Sequence, residues 1–242
     1  MNEFDAYIEN RKRVFDENYK AVLERLNNAA VKSGRNIDDI TLLAATKTVE
    51  APVINHAYKS GIKVMGENRV QEFLSKEDDL ESGLRRQLIG TLQRNKVRQI
   101  VGKVELIQSV DSVKLAEEIS RQSKIHGITS DVLIEVNIAG EESKSGIEPE
   151  QLPEMLAKMA EIDNIFVRGL MTLGPVSENA QKKSEIFDKM QKLFIDNSVK
   201  KVDNISMDIL SMGMSSDFDL AVEHGANMIR VGSALFGARI YA

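Results

Sequence analysis

The chain has 242 residues, 42% of them hydrophobic, enough to bury a substantial core as one large α/β domain or two small ones. Its formal net charge of -5 and isoelectric point near 5.4 argue against a nucleic-acid partner, because phosphate backbones are bound through accumulated lysine and arginine. Zero cysteines exclude disulfides, thiolate metal sites and cysteine nucleophiles.

The first residues, Met1 to Asp5, carry neither a basic n-region nor an apolar h-region. No apolar run is long enough to span a bilayer, so a cytoplasmic protein with no membrane partner is expected. Residues 4–33 read as a helix with Val14, Asn18, Val22, Arg25 and Leu26 on one face and Gly34 as the stop. After this leading helix the chain alternates. Short apolar runs at residues 42–45, 62–65, 88–89, 106–107, 132–136, 166–171, 205–211 and 228–231 read as strands. Helical signals lie between them. Pro52 stands at a first helical position with Gly61 past the end, and Asp111 or Ser112 caps a segment carrying Val113, Leu115 and Ile119. Leu152, Met155, Leu156 and Met159 repeat at helical spacing, as do Ile186, Met190 and Leu193. Ser216 and Asp219 form a capping-box pattern, with Gly225 closing that helix after His224.

Eight strand candidates, each followed by a helix or long crossover, fit a closed (β/α)8 TIM barrel better than a doubly wound sheet. No Gly-x-Gly-x-x-Gly follows the first strand, and there is no Gly-x-x-x-x-Gly-Lys-[Ser/Thr]. No linker, repeat or low-complexity tract divides the chain, so one domain over residues 1–242 is expected.

In a barrel the first strand delivers Lys47 to the face on which barrel enzymes build their sites. Two readings stand side by side. Lys47 is a lysine snorkelling to water from a strand end, or a desolvated amine able to form a Schiff base with an aldehyde cofactor. At the eighth strand, Arg230 and Val231 run into Gly232 and Ser233, whose N–H groups and hydroxyl suit a phosphate. Met212 to Ser216, after the seventh strand, offers more such donors. Each segment alone also reads as a plain turn or an ordinary capped helix.

The remaining candidates are weaker. His56, His126 and His224 are dispersed with no HExxH pattern, so no metal site is expected, and His224 suits a helix C-terminus. Arg85, Arg86, Arg94, Lys96 and Arg98 read as a solvated helix face in an acidic protein. Lys144 sits in a loop after strand five, as a solvent-exposed side chain or a secondary amine for an aldehyde.

Ordered motifs over nearly the whole chain carry a resemblance. They include Ala45-Thr46-Lys47-Thr48, Gly66-Glu67-Asn68-Arg69, Ile89-Gly90-Thr91 and Lys144-Ser145-Gly146. They continue with Leu210-Ser211-Met212-Gly213-Met214-Ser215 and Arg230-Val231-Gly232-Ser233-Ala234-Leu235-Phe236-Gly237. In these the chain resembles the YggS/PROSC family of pyridoxal phosphate homeostasis proteins, related in fold to the N-terminal barrel domain of alanine racemase. The resemblance implies pyridoxal 5'-phosphate as cofactor, carried on Lys47 as an internal aldimine. It further implies that Ser215, Gly232 and Ser233 hold the phosphate, with Arg230 near the pyridine nitrogen and Asn68 lining the pocket. Two departures stand out: Arg86-Gln87-Leu88 where the family usually has Trp-His-Phe, and Arg69 where it usually has Tyr. Both put an aromatic role at the mouth in doubt.

A guanidinium beside the ring nitrogen disfavours the pyridinium and weakens the ring as an electron sink. Two-base racemisation also needs a second proton-transfer group. In the related racemases that group comes with an additional β domain, which is not expected here because the sequence reaches Ala242 just after its eighth unit. None of Tyr7, Tyr19, Tyr58 and Tyr241 is an evident replacement. The expectation is therefore a monomeric binding protein that stores the cofactor and supplies it to apo-enzymes, with no dedicated catalysis. The alternative is a slow amino-acid racemase using Lys47 as one base.

Overall fold

A computed structural model describes residues 2–141, 144–174, 179–198 and 202–238. In chain order the elements are α1 (Glu3–Lys32), β1 (Thr41–Ala45), α2 (Ala51–Ser60), β2 (Val64–Glu67), α3 (Val70–Leu74) and β3 (Arg85–Leu88). After a 3-10 helix (Arg94–Gln99) come β4 (Leu106–Val110), α4 (Val113–His126), β5 (Ser130–Glu135) and α5 (Leu152–Met159). Then follow β6 (Ile165–Met171), α6 (Ala180–Ser198), β7 (Ile205–Met214), α7 (Phe218–Glu223), β8 (Met228–Val231) and α8 (Ser233–Phe236). The eight strands pair in sequence order, all parallel, and β8 pairs with β1 to close the barrel.

The strands are buried on both faces, which is why they read as apolar runs. Outward-facing residues such as Ala44, Met65, Leu88, Ile107 and Ile229 pack under the helices. A smaller apolar set, including Leu43, Val64, Leu106, Leu133 and Met228, fills the barrel axis. The axis is also crossed by a polar chain. Arg230 donates to the Ser211 hydroxyl at 2.6 Å, Ser211 to Gln108 Oε1 at 2.7 Å, and Gln108 Nε2 to Gln87 Oε1 at 2.6 Å. All four side chains are buried, so each bond made here spares a desolvated group that would cost about 1–3 kcal/mol unpaired.

α1 lies outside the eight units. Asn2 caps it through a reciprocal bond with Asp5, and Phe15, Val22 and Leu26 bury its inner face. Phe15 stacks on Phe236 with ring centroids 5.5 Å apart, and Asn18 and Arg25 reach Leu235 O and Asp219.

The structure corrects the sequence reading in several places: β4 runs on to Val110 and β2 lies at Val64–Glu67, past the expected 106–107 and 62–65. β3 begins at Arg85, before the apolar pair at 88–89, because its N-terminal half points polar side chains outward and into the polar axis. The basic cluster therefore splits: Arg85 and Arg86 are on β3, Arg85 paired with Glu105, while Arg94, Lys96 and Arg98 are on the 3-10 helix with Arg94 and Arg98 exposed. β7 runs on to Met214 through a register shift at Gly213, whose φ of +90° and close approach to Ala221 call for glycine. Finally, Asp217, not Ser216, occupies the cap position of α7, and the Ser216–Asp219 box is not formed.

Candidate functional site

β1 ends at Ala45, and Thr46 continues the pairing by donating its N–H to Gly66 O at 3.0 Å. The chain then turns, with Val49 N–H donating to Thr46 O at 3.0 Å, and the turn lifts Lys47 to the C-terminal mouth of the barrel. There a cavity of about 400 Å3 opens, lined by Lys47, Asn68, Ser215, Arg230, Gly232 and Ser233 together with Lys144 and Ser216. All six residues named from the sequence thus meet around one space. Its apolar walls are Ala45, Ile89, Leu173 and Met214. The volume suits a small cofactor.

Asn68 is brought in by close backbone packing. A Cβ on Gly90 would stand 2.3 Å from Asn68 O, so glycine after Ile89 lets the β2 and β3 ends approach. The Asn68 side-chain oxygen is buried without a protein hydrogen-bond partner, leaving an unsatisfied amide on the cavity.

The opposite side is a loop-on-loop junction. Ser215 Oγ accepts the Gly232 N–H at 3.1 Å and the Ala234 N–H at 3.2 Å, tying the β7 exit to the first turn of α8. The β7 exit is itself held by Asp217. Its Oδ1 accepts the Met214 N–H at 2.8 Å, and its Oδ2 pairs with Lys183 of α6 at 3.0 Å. This set of hydroxyls and converging N–H groups has the donor chemistry of a phosphate cradle.

Arg230 rises from β8 at the cavity floor. Besides Ser211, its guanidinium donates to Thr172 O at 2.7 Å, so its orientation is fixed from two sides. Burial depresses it to about 10, and it remains charged at neutral pH. Lys144 reaches the rim, where Nζ donates to Gly174 O at 3.3 Å; the side chain is half-buried, between the two readings the sequence left open. Among the described residues, the charged side chains lining the cavity are Lys47, Lys144 and Arg230, with no carboxylate. Three cations around one hollow in a protein of net charge -5 favour an anionic ligand. Just outside the lining, Glu135 accepts the Ser145 hydroxyl at 2.8 Å, and burial pushes its carboxyl up.

Several residues around the site have no role assigned from the sequence, although Glu67 and Ser211 stand in the quoted motifs. Lys76, Glu72 and Glu67 lie behind Lys47, Asp217 and Lys183 behind Ser215, and Gln108, Ser211 and Thr172 around Arg230. The local signal was faint: an i,i+4 Glu72–Lys76 pair, and single polar residues inside apolar strands.

The other candidates lie elsewhere. His224 stands at the C-cap of α7, its ring bridging Ser184 at 2.7 Å and Asp188 at 2.5 Å, and His56 pairs with Asp16. Among the described residues no group of three or more His, Asp or Glu is placed to hold a metal ion, and no helix is long and apolar enough to cross a membrane. Tyr7 is bound to Glu50, Tyr19 and Tyr58 lie on α1 and α2, and Tyr241 is outside the described residues.

Comparison with known proteins shows the family and the fold. The family described as alanine racemase, N-terminal domain, matches residues 19–240. A pyridoxal phosphate homeostasis protein of Aquifex aeolicus is 45% identical over 226 residues, covering 93% of this chain and 98% of that one. Among solved structures, one described as an unknown protein from Bifidobacterium adolescentis is similar, with a TM-score of 0.85 and 36% identity over 93% of this chain and 96% of that one. PipY of Synechococcus elongatus, solved with PLP bound, gives a TM-score of 0.76 and 33% identity over 82% of this chain and 93% of that one. With this identity extending over nearly the whole of both chains, the chain belongs to the pyridoxal phosphate homeostasis protein family.

Proposed function

We propose that this protein binds pyridoxal 5'-phosphate reversibly at the barrel mouth, with Lys47 as the amine that holds its aldehyde, and releases it to apo-enzymes in the cytoplasm. The observation that carries the reading is the cavity itself: three cations and a seryl and backbone donor set around one hollow, with a lysine at its edge and no carboxylate among the described lining residues. The bound PipY relative supports the choice of ligand.

The residues divide the work. Ser215, Gly232 and Ser233 supply donors for the phosphate, while Asn68 offers an amide that has an unused oxygen. Arg230 would stand near the ring nitrogen of the bound cofactor as a donor that keeps its charge. A fixed cation there would disfavour protonation of that nitrogen, because two adjacent positive charges repel. The cofactor supplies an electrophilic aldehyde and, when its nitrogen is protonated, a strong electron sink; Arg230 withholds the second property. That suits storage better than turnover, and a monomer suffices because one barrel carries the whole donor set.

Borohydride treatment of the loaded protein followed by peptide mapping tests the assignment. The expected adduct is on Lys47, and Lys47→Ala loses both adduct and visible absorbance while keeping its fold, since a half-buried lysine at a barrel mouth adds little packing. An adduct confined to Lys144 would refute it. A slow racemase is the second reading, favoured only by Lys47 as one available base. Among the described residues no tyrosine lines the cavity to serve as another. Lys47-dependent incorporation of solvent deuterium at Cα of an amino acid would establish that reading in place of storage.

A further inference from the structure

We propose that Lys76 is a positioning residue for Lys47, holding the peptide groups on both sides of it. This rests on the reading of Lys47 as the cofactor amine. Lys76 follows α3, and its ammonium donates to three acceptors: Thr46 O at 3.0 Å, Glu67 Oε1 at 2.9 Å and Glu72 Oε1 at 2.8 Å. An ammonium has three N–H groups, so its donor capacity is used up in this one place. Glu72 Oε1 in turn accepts the N–H of Thr48, and Glu67 Oε1 accepts the Thr46 hydroxyl at 2.7 Å. One side chain thereby grips the carbonyl before Lys47 directly and the amide after it through a carboxylate.

Two observations say that this grip does more than decorate a surface. Thr48 has φ of +61°, a left-handed conformation that a β-branched residue adopts only when its surroundings impose it. Two contacts hold it there, the turn bond from Val49 N–H to Thr46 O and the bond from its own N–H to Glu72. The Lys76 side chain is 13% exposed and that of Glu67 wholly buried, so these charges act on one another with little screening by water, unlike an exposed pair. Of the clamp residues none lines the cavity, so their effect on ligand passes through the backbone of the Lys47 turn. A fixed backbone aims the amine and removes the ordering cost from capture of the aldehyde.

The test compares Lys76→Met, Glu72→Ala and Glu72→Gln. In the unliganded protein, amide hydrogen exchange at Thr48 is expected to rise about tenfold or more in Lys76→Met and Glu72→Ala, but by less than about threefold in Glu72→Gln, which keeps an oxygen acceptor. Affinity for pyridoxal 5'-phosphate is expected to fall about tenfold in the first two variants. Affinity for pyridoxine 5'-phosphate, which has the same ring and phosphate but no aldehyde, should change less than about twofold, because the cradle is untouched. If both ligands weaken alike, or neither does, while the wild type still gives the borohydride adduct on Lys47, the positioning role is overturned and the reading of Lys47 stands. If the wild type gives no such adduct, the reading of Lys47 falls and takes this proposal with it. Should Lys76→Met fail to fold, the Glu72 pair carries the same comparison from a more exposed side chain.

Discussion

Replacing Asp217 by alanine should separate the barrel's stability from the integrity of its ligand loop. The carboxylate is almost wholly buried and does three things: Oδ1 accepts the Met214 N–H at 2.8 Å, Oδ2 pairs with Lys183 at 3.0 Å, and Oδ2 accepts the Ser216 hydroxyl at 3.2 Å. A hydrogen bond to a charged acceptor contributes about 1.5–3 kcal/mol, and removing it also leaves the Met214 N–H without its acceptor. Stranding one member of a buried ion pair costs about 3–5 kcal/mol, but the Lys183 side chain is 13% exposed and can swing its ammonium to water, which discounts that figure. The expected total is about 2–4 kcal/mol. Asp217→Asn keeps an oxygen for Met214 and should lose about half of it. Urea titration of both variants at constant m-value measures the loss. A drop below about 1 kcal/mol for Asp217→Ala would mean that the β7 exit is held by something other than this carboxylate.

Two further outcomes follow from the buried groups. Ser211→Ala interrupts the chain between Arg230 and Gln108, leaving a guanidinium N–H and an amide oxygen without their partner, and should cost about 1–3 kcal/mol in the same titration; no measurable loss would show the relay to be incidental. Glu135 gives a pH signature: burial raises its carboxyl in the folded state, so the folded state keeps that proton to higher pH than the unfolded chain does. The stability that goes with the proton is complete below the ordinary glutamate value of 4.5 and is lost as pH rises through the folded-state value. Glu135→Gln cannot ionise, so its stability relative to wild type should climb as pH rises through that window, and a flat difference from about pH 4 to about pH 8 would contradict the sign.

The barrel was legible because its outward-facing strand residues and the residues filling its axis are apolar, and the parallel run of such strands between helical segments admits few arrangements. Lys47 and the Gly232-Ser233 turn were legible for the same reason, since each stands where an apolar run stops. β3 is clipped at its start because its first residues serve the polar axis: Arg85 is exposed and Gln87 faces Gln108, so alternation hides them from a search for apolar runs, as Gln108 and Ser109 hide the end of β4. Lys76 was invisible for a different reason. It stands beside Glu77, Asp78 and Asp79, and a charged tract of that kind reads as a solvated surface. Only the folded chain shows that its ammonium meets a carbonyl 30 residues away. Tertiary acceptors of this kind leave no periodic trace.

The placement of α1 bears on how the chain reaches this structure. Its apolar stripe is covered largely by α7 and α8, and Arg11 and Asn18 take up the carbonyls of Phe236 and Leu235. During synthesis Phe15, Val22 and Leu26 are made first; α2 follows soon after and covers part of their face, His56 meeting Phe15, but the share covered by α7 and α8 emerges only after residue 218. Through most of translation that greasy stripe has only part of its native seat, and sealing the ring between β8 and β1 waits on the same late segment. A nascent chain stalled short of α7 would therefore expose both an unmated strand edge and a partly bare amphipathic helix, the two surfaces that draw chaperones and promote clumping.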